Sequence, residues 1–104
     1  LYYNLGRHKE ALSFTERWES KHKDQPLHQI AGMCHYYLEN YPFAINRLLY
    51  AIEKDSANAM LFYTIGRSYV EMERYKQAIP FYKKAATLDT TNARYVYEAG
   101  MVYY

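Results

Sequence analysis

The sequence predicts an all-α protein built from antiparallel helix-turn-helix repeats, and three observations carry this prediction. First, residues recur at a fixed offset of 34: Gly32, Gly66 and Gly100 are evenly spaced, and Ala44 and Ala78 share that spacing. Second, apolar residues follow helical spacing on two faces of the same segments, so these helices must be buried on two sides. Third, small residues at repeated positions let paired helices approach closely, which explains glycine inside a helix despite a cost of about 1 kcal/mol.

Turn signals divide the chain into helices. We expect a helical fragment at 1–5 and helices at 7–22, 26–39, 42–54, 59–72, 75–88 and 93–104. Pro26 opens the helix at 26–39, and Asn40 is expected to cap the next one, whose first turn contains Pro42. The polar segments 55–58 and 89–92 end one helix and precede the next.

The segment 59–92 resembles a tetratricopeptide repeat, a family whose repeats recur at the same offset. The family pattern is Trp-x2-Leu-Gly-x2-Tyr, then Ala-x3-Phe, then Pro, and the corresponding residues here are Phe62, Ile65, Gly66, Tyr69, Ala78, Tyr82 and Thr90. Residues 25–58 match less closely, with His28 and His35 at two aromatic positions. The resemblance implies one domain, 1–104, folded as a right-handed superhelix (an α-solenoid). It is divided into a partial repeat at 1–24, repeats at 25–58 and 59–92, and the first helix of a further repeat at 93–104.

Two features depart from a regular repeat. Ala11 lies one position closer to Ala44 than the repeat offset requires, and Trp18 occupies the place that alanines hold in the later units. Because a large ring cannot pack as closely as a methyl group, we expect the first junction to be splayed or differently docked. Within the helix at 75–88, Pro80 removes one backbone hydrogen bond and is expected to bend the helix near Lys76.

Composition excludes several functional classes. The net charge is only +2, and no run of Lys or Arg is longer than Lys83-Lys84, so we expect no nucleic-acid partner. No apolar run approaches the roughly 20 residues that cross a bilayer, so we expect no membrane insertion. Cys34, the single cysteine, excludes an intrachain disulfide framework and is compatible with a reducing compartment, with the cytoplasm favoured. The chain opens without Met, which we interpret as a piece of a longer protein.

The residues with reactive side chains do not form a recognisable site. His28, Cys34 and His35 are the one candidate ligand cluster, and the two histidines lie on one helix face. We expect both rings to pack within the hairpin, because zinc would need further ligands at suitable spacing. Phosphate-binding loops and hydrolase motifs are absent from the sequence. We therefore predict no metal, no cofactor and no catalytic residue.

The family resemblance directs attention to a surface. In tetratricopeptide proteins the first helix of each pair lines a concave groove for an extended peptide or a partner helix. Carried over residue by residue, the groove consists of Gln29, Met33, Tyr36, Tyr37, Tyr63, Arg67, Val70, Arg94, Tyr97, Met101 and Tyr104. Tyr, Met and Arg are enriched at interfaces. We expect a hydrophobic peptide carrying an acidic residue or a terminal carboxylate, with Arg67 or Arg94 pairing the charge.

One subtype of the family can be tested directly. Repeats that clamp the acidic C-termini of chaperones carry Asn just after the signature glycine, and Asn and Arg two residues before it in later repeats. Here Met33, Arg67 and Met101 follow the glycines, whereas Ile30, Thr64 and Glu98 precede them by two. That clamp is absent from this sequence.

The leading hypothesis is a non-catalytic protein-interaction scaffold with a protein or peptide partner of unknown identity. One alternative is a structural segment of a longer superhelix, or a self-associating module that dimerises through exposed terminal helices such as the one ending at Tyr104. A further alternative is a secretion-type chaperone for a hydrophobic segment of its cargo.

Overall fold

The computed structural model describes residues 2–23, 27–95 and 97. These residues contain five helices: α1 (Tyr2–Lys21), α2 (His28–Tyr37), α3 (Tyr41–Lys54), α4 (Ala59–Glu71) and α5 (Tyr75–Leu88). Residues 93–95 and 97 are also helical, and no strand occurs in any described residue. Helix α2 pairs with α3, and α4 pairs with α5, while α1 packs on α2 and α3 packs on α4. The predicted all-α architecture of repeated helical hairpins is confirmed.

The first helix differs from the prediction. A separate fragment at 1–5 followed by a helix from residue 7 is wrong, because Tyr2–Lys21 is one helix that includes Gly6. Glycine lowers helix stability by about 1 kcal/mol but keeps its backbone N–H, so a long helix continues through it. Helix α5 likewise continues through the exposed Pro80, and the bend expected near Lys76 stays a prediction. The predicted opening at Pro26 and most of the helix at 93–104 lie outside the described residues.

The turn inside each hairpin has the same geometry. Glu39 and Glu73 occupy equivalent positions of the two repeats, and each has a positive φ, of 65° and 60° respectively. The amide after each glutamate donates to a carbonyl five positions back, from Asn40 to His35 at 2.8 Å and from Arg74 to Tyr69 at 2.8 Å. This pattern is the Schellman motif, which satisfies the last carbonyls of a helix. Both hairpins are therefore closed by the same backbone device, and glutamate adopts the left-handed conformation usually given to glycine.

Asparagine side chains cap two helix starts, but not the one at Asn40 where a cap was predicted. The Asn58 side chain accepts from the Met60 amide at 3.2 Å, and the Asn92 side chain accepts from the Arg94 amide at 3.0 Å. Asn40 occupies the cap position of α3, but its side chain makes no capping hydrogen bond. Pro42, in the first turn, has no N–H, so fewer backbone donors there need a partner.

The core is built where the signature glycines meet the second helix of each pair. A Cβ atom at Gly32 would lie 2.6 Å from Leu48 Cγ, and one at Gly66 would lie 2.9 Å from Tyr82 Cδ1. Leu48 and Tyr82 are almost completely buried. A second layer joins the hairpins across α3 and α4 through Ile45, Leu48, Ala51, Leu61 and Ile65. The close approach expected at the repeated glycines is thus present in both hairpins.

Candidate functional site

A cavity of about 270 Å³ lies where the first helices of the two hairpins meet the start of the next helix. Its lining residues are Met33, Tyr36, Tyr37, Met60, Tyr63, Thr64, Arg67, Asn92, Arg94 and Tyr95. On α4 the lining positions are 60, 63, 64 and 67, which form one helical face. The cavity therefore combines apolar, aromatic and cationic side chains, the mixture found at protein interfaces.

The tyrosines of this cavity are held against neighbouring rings. Tyr63 contacts Tyr95, with ring centroids 4.8 Å apart, and Tyr36 meets Tyr37 edge-on at 5.2 Å. Tyr37 also stacks on His8 of α1, with centroids 4.6 Å apart and the rings 9° from parallel. Because these contacts fix the ring orientations before any partner arrives, little side-chain entropy remains to be lost on binding.

Arg67 carries the most strongly perturbed charge of the cavity. Hydrogen bonding to the Tyr36 hydroxyl raises the pKa of the Arg67 guanidinium above its ordinary value, although partial burial opposes this shift. Arg67 Nη2 also pairs with Glu71 Oε1 at 3.3 Å, one helical turn further along α4. An exposed pair of this kind contributes only about 0.3–0.5 kcal/mol. Tyr36 and Glu71 therefore orient the Arg67 side chain. Because the pair with Glu71 is weak, another anion can replace Glu71 at a small energetic cost.

The structure brings six of the predicted groove residues around this cavity, namely Met33, Tyr36, Tyr37, Tyr63, Arg67 and Arg94. Gln29 lies elsewhere, in the wall of a separate cavity. Val70 is half-buried on α4 outside this lining, and Tyr97 is exposed. Met101 and Tyr104 lie outside the described residues.

Four lining residues were not predicted: Met60, Thr64, Asn92 and Tyr95. Met60 and Thr64 share a helical face with Tyr63 and Arg67, so that spacing was a usable signal. Tyr95 occupies the repeat position of the buried Leu61 and is itself buried, so its repeat position indicated core packing only.

A second group of polar side chains lies between α1 and the first hairpin, which is formed by α2 and α3. Arg47 of α3 pairs with Glu19 of α1, and its Nη1 lies 2.9 Å from Nδ1 of His28. Glu19 also accepts the Leu27 amide at 2.9 Å, at the start of α2. The Arg47 hydrogen bond is the main reason that the pKa of Glu19 is lowered. These contacts join three helices through charge.

Both histidines of the candidate ligand cluster pack against rings of α3, as predicted. His28 stacks on Tyr50 at 4.9 Å, and His35 is tilted against Phe43 at 5.5 Å. Burial and the nearby Arg47 lower the pKa of both imidazoles. No group of three or more potential metal-binding side chains occurs among the residues that the structure describes. Cys34 is buried, and this raises the pKa of its thiol, which disfavours the reactive thiolate.

Glu19, His28 and Arg47, here called the ionic group, occupy positions that are apolar in the second hairpin. Glu19, His28 and Arg47 correspond by repeat position to Ile52, Phe62 and Phe81, which pack together there. At the same junction Trp18 stacks on His22, with centroids 3.9 Å apart, and its Nε1 is buried without a partner. The first junction therefore differs from the second in its chemistry, whereas the splayed docking expected from Trp18 stays a prediction.

Acid is expected to destabilise the first hairpin through these histidines. Since their folded-state pKa values are lowered from 6.5, the unfolded chain takes up protons first. The histidines therefore favour folding fully above about pH 6.5, and this advantage is lost as the pH falls through the folded-state values. Thermal melts followed by circular dichroism at about pH 7.5, 6 and 5 measure the loss.

The matched control is His28→Phe/His35→Tyr, which imports the residues found at positions 62 and 69. This double variant should retain more of its melting temperature between about pH 7 and 5 than the native chain. Glu19 does not interfere, because its pKa is lowered from 4.5 and it titrates below this window. Equal pH dependence of the two proteins would contradict the role given to the histidines.

Comparison with known proteins agrees with this geometry. A family model described as "Tetratricopeptide repeat" matches residues 59–92. The general transcriptional corepressor trfA of Dictyostelium discoideum is 34% identical over 68 residues, covering 64% of this chain and 5% of that protein. The general transcriptional corepressor ssn6 of Schizosaccharomyces pombe is 33% identical over 69 residues, covering 64% of this chain and 6% of that protein. This chain thus spans only a small fraction of either relative.

A solved structure titled "MamA MSR-1 C2" superposes with a TM-score of 0.80 at 18% identity, covering 98% of this chain and 59% of that one. At this level of identity the likeness shows the fold. Residues 59–92 therefore match a tetratricopeptide repeat, and the chain has the fold of a helical-repeat protein. No helix among the described residues is both long and apolar enough to span a membrane.

Proposed function

Because this chain belongs to the tetratricopeptide-repeat family, we propose that it binds a segment of a partner protein in the cavity between α2 and α4, without catalysing a reaction. The segment is an extended peptide or a helix. We also propose the units 1–24, 25–58, 59–92 and 93–104, with the first helix of each complete unit facing the ligand.

The observation that carries this proposal is the composition of the cavity wall. Met33 and Met60 offer flexible apolar contact, and Met60 is half exposed. Tyr37 and Tyr63 offer large surfaces whose orientations are already fixed by neighbouring rings. Arg67 adds a directed positive charge. Tyr and Arg are the residues that most often dominate binding energy at interfaces.

The chemistry of the wall defines the expected ligand. An apolar side chain fits against the methionines and tyrosines, and an acidic group fits beside Arg67. This acid must replace Glu71, whose 3.3 Å contact with Arg67 is solvent-exposed. Since such a contact contributes only a few tenths of a kcal/mol, a ligand carboxylate that also makes apolar contacts displaces it readily. A ligand with an apolar anchor and a nearby Asp or Glu is therefore favoured over a basic one.

The two relatives support a function in protein binding at this general level. Both are described as general transcriptional corepressors. Each matched stretch covers 64% of this chain but at most 6% of the relative. For this chain we propose only the binding of a protein partner, and no more specific activity.

The test selects linear peptides from a displayed library on the native chain and on Arg67→Glu. The native chain should enrich peptides that combine an apolar residue with Asp or Glu, whereas Arg67→Glu should enrich Lys or Arg instead. The best native peptide should bind Arg67→Glu at least about tenfold more weakly, which corresponds to about 1.4 kcal/mol. Fluorescence anisotropy measures this affinity.

Arg74→Glu is the control, because Arg74 is exposed in the turn before α5 and is not part of the cavity wall. It makes the same charge change and should weaken binding less than about twofold. Both variants should melt within a few degrees of the native chain. Unchanged affinity in Arg67→Glu would show that the proposed anchor is wrong.

A further inference from the structure

The cavity between α2 and α4 is lined by two arginines and, among the residues that the structure describes, by no carboxylate. Arg67 belongs to α4, whereas Arg94 lies at the start of the following unit. At about 270 Å³ the cavity is smaller than the usual site for a drug-sized ligand, so both arginines border a space suited to one side chain. An anion that enters this space therefore meets cations from two elements.

Asn92 adds a neutral hydrogen-bond donor to the same wall. Its side-chain oxygen accepts from the Arg94 amide at 3.0 Å, just as the Asn58 side chain caps α4. Asn58 also donates its amide group to Asp55 at 3.0 Å, whereas no equivalent bond joins Asn92 to Asp89 in the part of the chain that the structure describes. The amide hydrogens of Asn92 are therefore available to a ligand.

The Tyr36 hydroxyl supplies a further donor. It accepts a hydrogen bond from Arg67, and because a phenol both accepts and donates, its own hydrogen can be given to an anion held by that arginine. A guanidinium has five N–H donors, so the contacts of Arg67 with Tyr36 and Glu71 leave others for a ligand. Two cations and two neutral donors together suit an anion with several oxygen atoms.

The ion pair of Arg67 with Glu71 determines which anion gains most from binding. The Glu71 carboxylate pairs with Arg67 at 3.3 Å, so a ligand carboxylate that replaces it exchanges one single negative charge for another. A phosphate monoester carries a charge of about −1.5 to −2 near pH 7 and three acceptor oxygens. It can accept from Arg67, Arg94 and Asn92 together, which a single carboxylate cannot match in charge or in number of oxygens. The arrangement therefore favours phosphate over carboxylate.

We propose that the group which enters this cavity is a phosphorylated serine or threonine of the partner protein, adjacent to an apolar residue. This inference rests on the proposed function, because it names the anion bound at the same site. Arg67 and Arg94 pair with the phosphate oxygens, and Tyr36 and Asn92 donate to them. The small volume favours these short side chains over phosphotyrosine. Binding then depends on phosphorylation of the partner, since an unmodified hydroxyl offers the two arginines no charge.

The test passes three synthetic peptide libraries over the immobilised native chain and over Arg67→Glu. The libraries share degenerate flanking positions and differ only in a fixed central residue, which is phosphoserine, glutamate or serine. Peptides from the retained pool are then synthesised with each central residue, and fluorescence anisotropy gives their dissociation constants. The phosphoserine form should bind at least about tenfold more tightly than the glutamate form, and the serine form should bind most weakly.

The outcomes separate this inference from the proposed function. If the native chain retains the glutamate library, Arg67→Glu does not, and phosphoserine brings no gain in affinity, the inference is overturned while the proposed function stands. If the native chain retains none of the libraries better than Arg67→Glu does, both are overturned. Tight binding of the phosphoserine peptides that Arg67→Glu leaves unchanged would also overturn the inference, because the phosphate would then bind elsewhere.

Arg94→Gln tests the second cation. It should weaken binding of the phosphoserine form at least about fivefold and binding of the glutamate form less than about twofold, because one carboxylate is balanced by Arg67 alone. Arg74→Gln is the matched control: it removes the same charge from an exposed residue outside the cavity wall and should change both affinities less than about twofold. Equal losses for the two peptides in Arg94→Gln would overturn the inference.

Competition with inorganic phosphate distinguishes a phosphorylated segment from the free anion. Sodium phosphate should displace the phosphoserine peptide only at concentrations at least about a hundredfold above the dissociation constant of the peptide, because the peptide also makes apolar contacts. Sodium chloride at the same ionic strength is the control for screening of exposed charges. Displacement by phosphate near the dissociation constant of the peptide would overturn the assignment of this site to a partner protein.

Discussion

Leu48→Ala should lower the free energy of unfolding by about 2–5 kcal/mol, the usual cost of truncating a fully buried leucine. Leu48 is inaccessible to solvent and belongs to the cluster that joins the two hairpins. It also fills the space beside Gly32, where a Cβ atom would lie 2.6 Å from its Cγ. Urea denaturation measures the loss.

A double-mutant cycle with Gly32→Ala tests whether the two residues share that space. In the native background Gly32→Ala should destabilise by about 1–2 kcal/mol, because overpacking costs more than the roughly 1 kcal/mol that alanine returns in helix propensity. In the Leu48→Ala background the same change should be neutral or stabilising, since the methyl group enters vacated space. Equal effects of Gly32→Ala in both backgrounds would contradict this packing.

Arg47→Ala should destabilise the chain by about 2–4 kcal/mol, because it leaves the Glu19 carboxylate largely buried without its cation. The Arg47 and Glu19 side chains are only 24% and 18% exposed. Breaking a buried ion pair costs about 3–5 kcal/mol, and breaking an exposed one costs less than about 1 kcal/mol. We expect the cost for the partly exposed Arg47–Glu19 pair to lie between these values. The His28 imidazole loses its hydrogen-bond donor as well.

The matched variant replaces the whole ionic group with its counterpart from the second hairpin, as Glu19→Ile/His28→Phe/Arg47→Phe. This triple variant should be within about 1 kcal/mol of the native chain or more stable, because a well-packed apolar group often replaces a buried ionic one without loss. Urea denaturation compares the two variants. If Arg47→Ala costs no more than the loss of an exposed surface pair, about 0.5 kcal/mol, the ionic group does not hold this junction together.

The fold was predictable because its determinants recur at a constant offset. Gly32 and Gly66 indicated the close helix contacts, and the structure places Leu48 and Tyr82 against them. Helix α5 has the predicted bounds, and α4 ends one residue early. The prediction of a fragment at 1–5 separate from a helix at 7–22 was wrong, because the sequence does not reveal whether a helix is long enough to continue through a single glycine.

The ionic group was harder to predict, since its members come from three helices. His28 was recognised at an aromatic position, yet its partners Glu19 and Arg47 belong to the helices before and after its own. Arg47 alone is indistinguishable from a solvated surface arginine. Only its equivalence with Phe81, taken together with the equivalence of His28 with Phe62, indicates an interior position.

The cavity between α2 and α4 was predictable in part for a related reason. Met33, Tyr36, Tyr63 and Arg67 share one helical face of the first helix in each unit, which repeat position identifies. Tyr95 also lines this cavity, and it lies at the start of the following unit. That position is where the helix begins, before the signature residues of the unit. The side chains at the end of the cavity are set by how one unit meets the start of the next. The repeat period alone does not specify this contact.

The methionines permit the most direct test of binding between α2 and α4. Met33 and Met60 line that cavity, whereas Met72 packs against the core cluster. Nuclear magnetic resonance of isotope-labelled methionine methyl groups, recorded during titration with the selected acidic peptide, reports on all three at once. If the peptide binds in that cavity, the Met33 and Met60 signals should shift during the titration and yield the same dissociation constant. The Met72 signal should stay in place. Saturation by the peptide with no shift at Met33 or Met60 would contradict it.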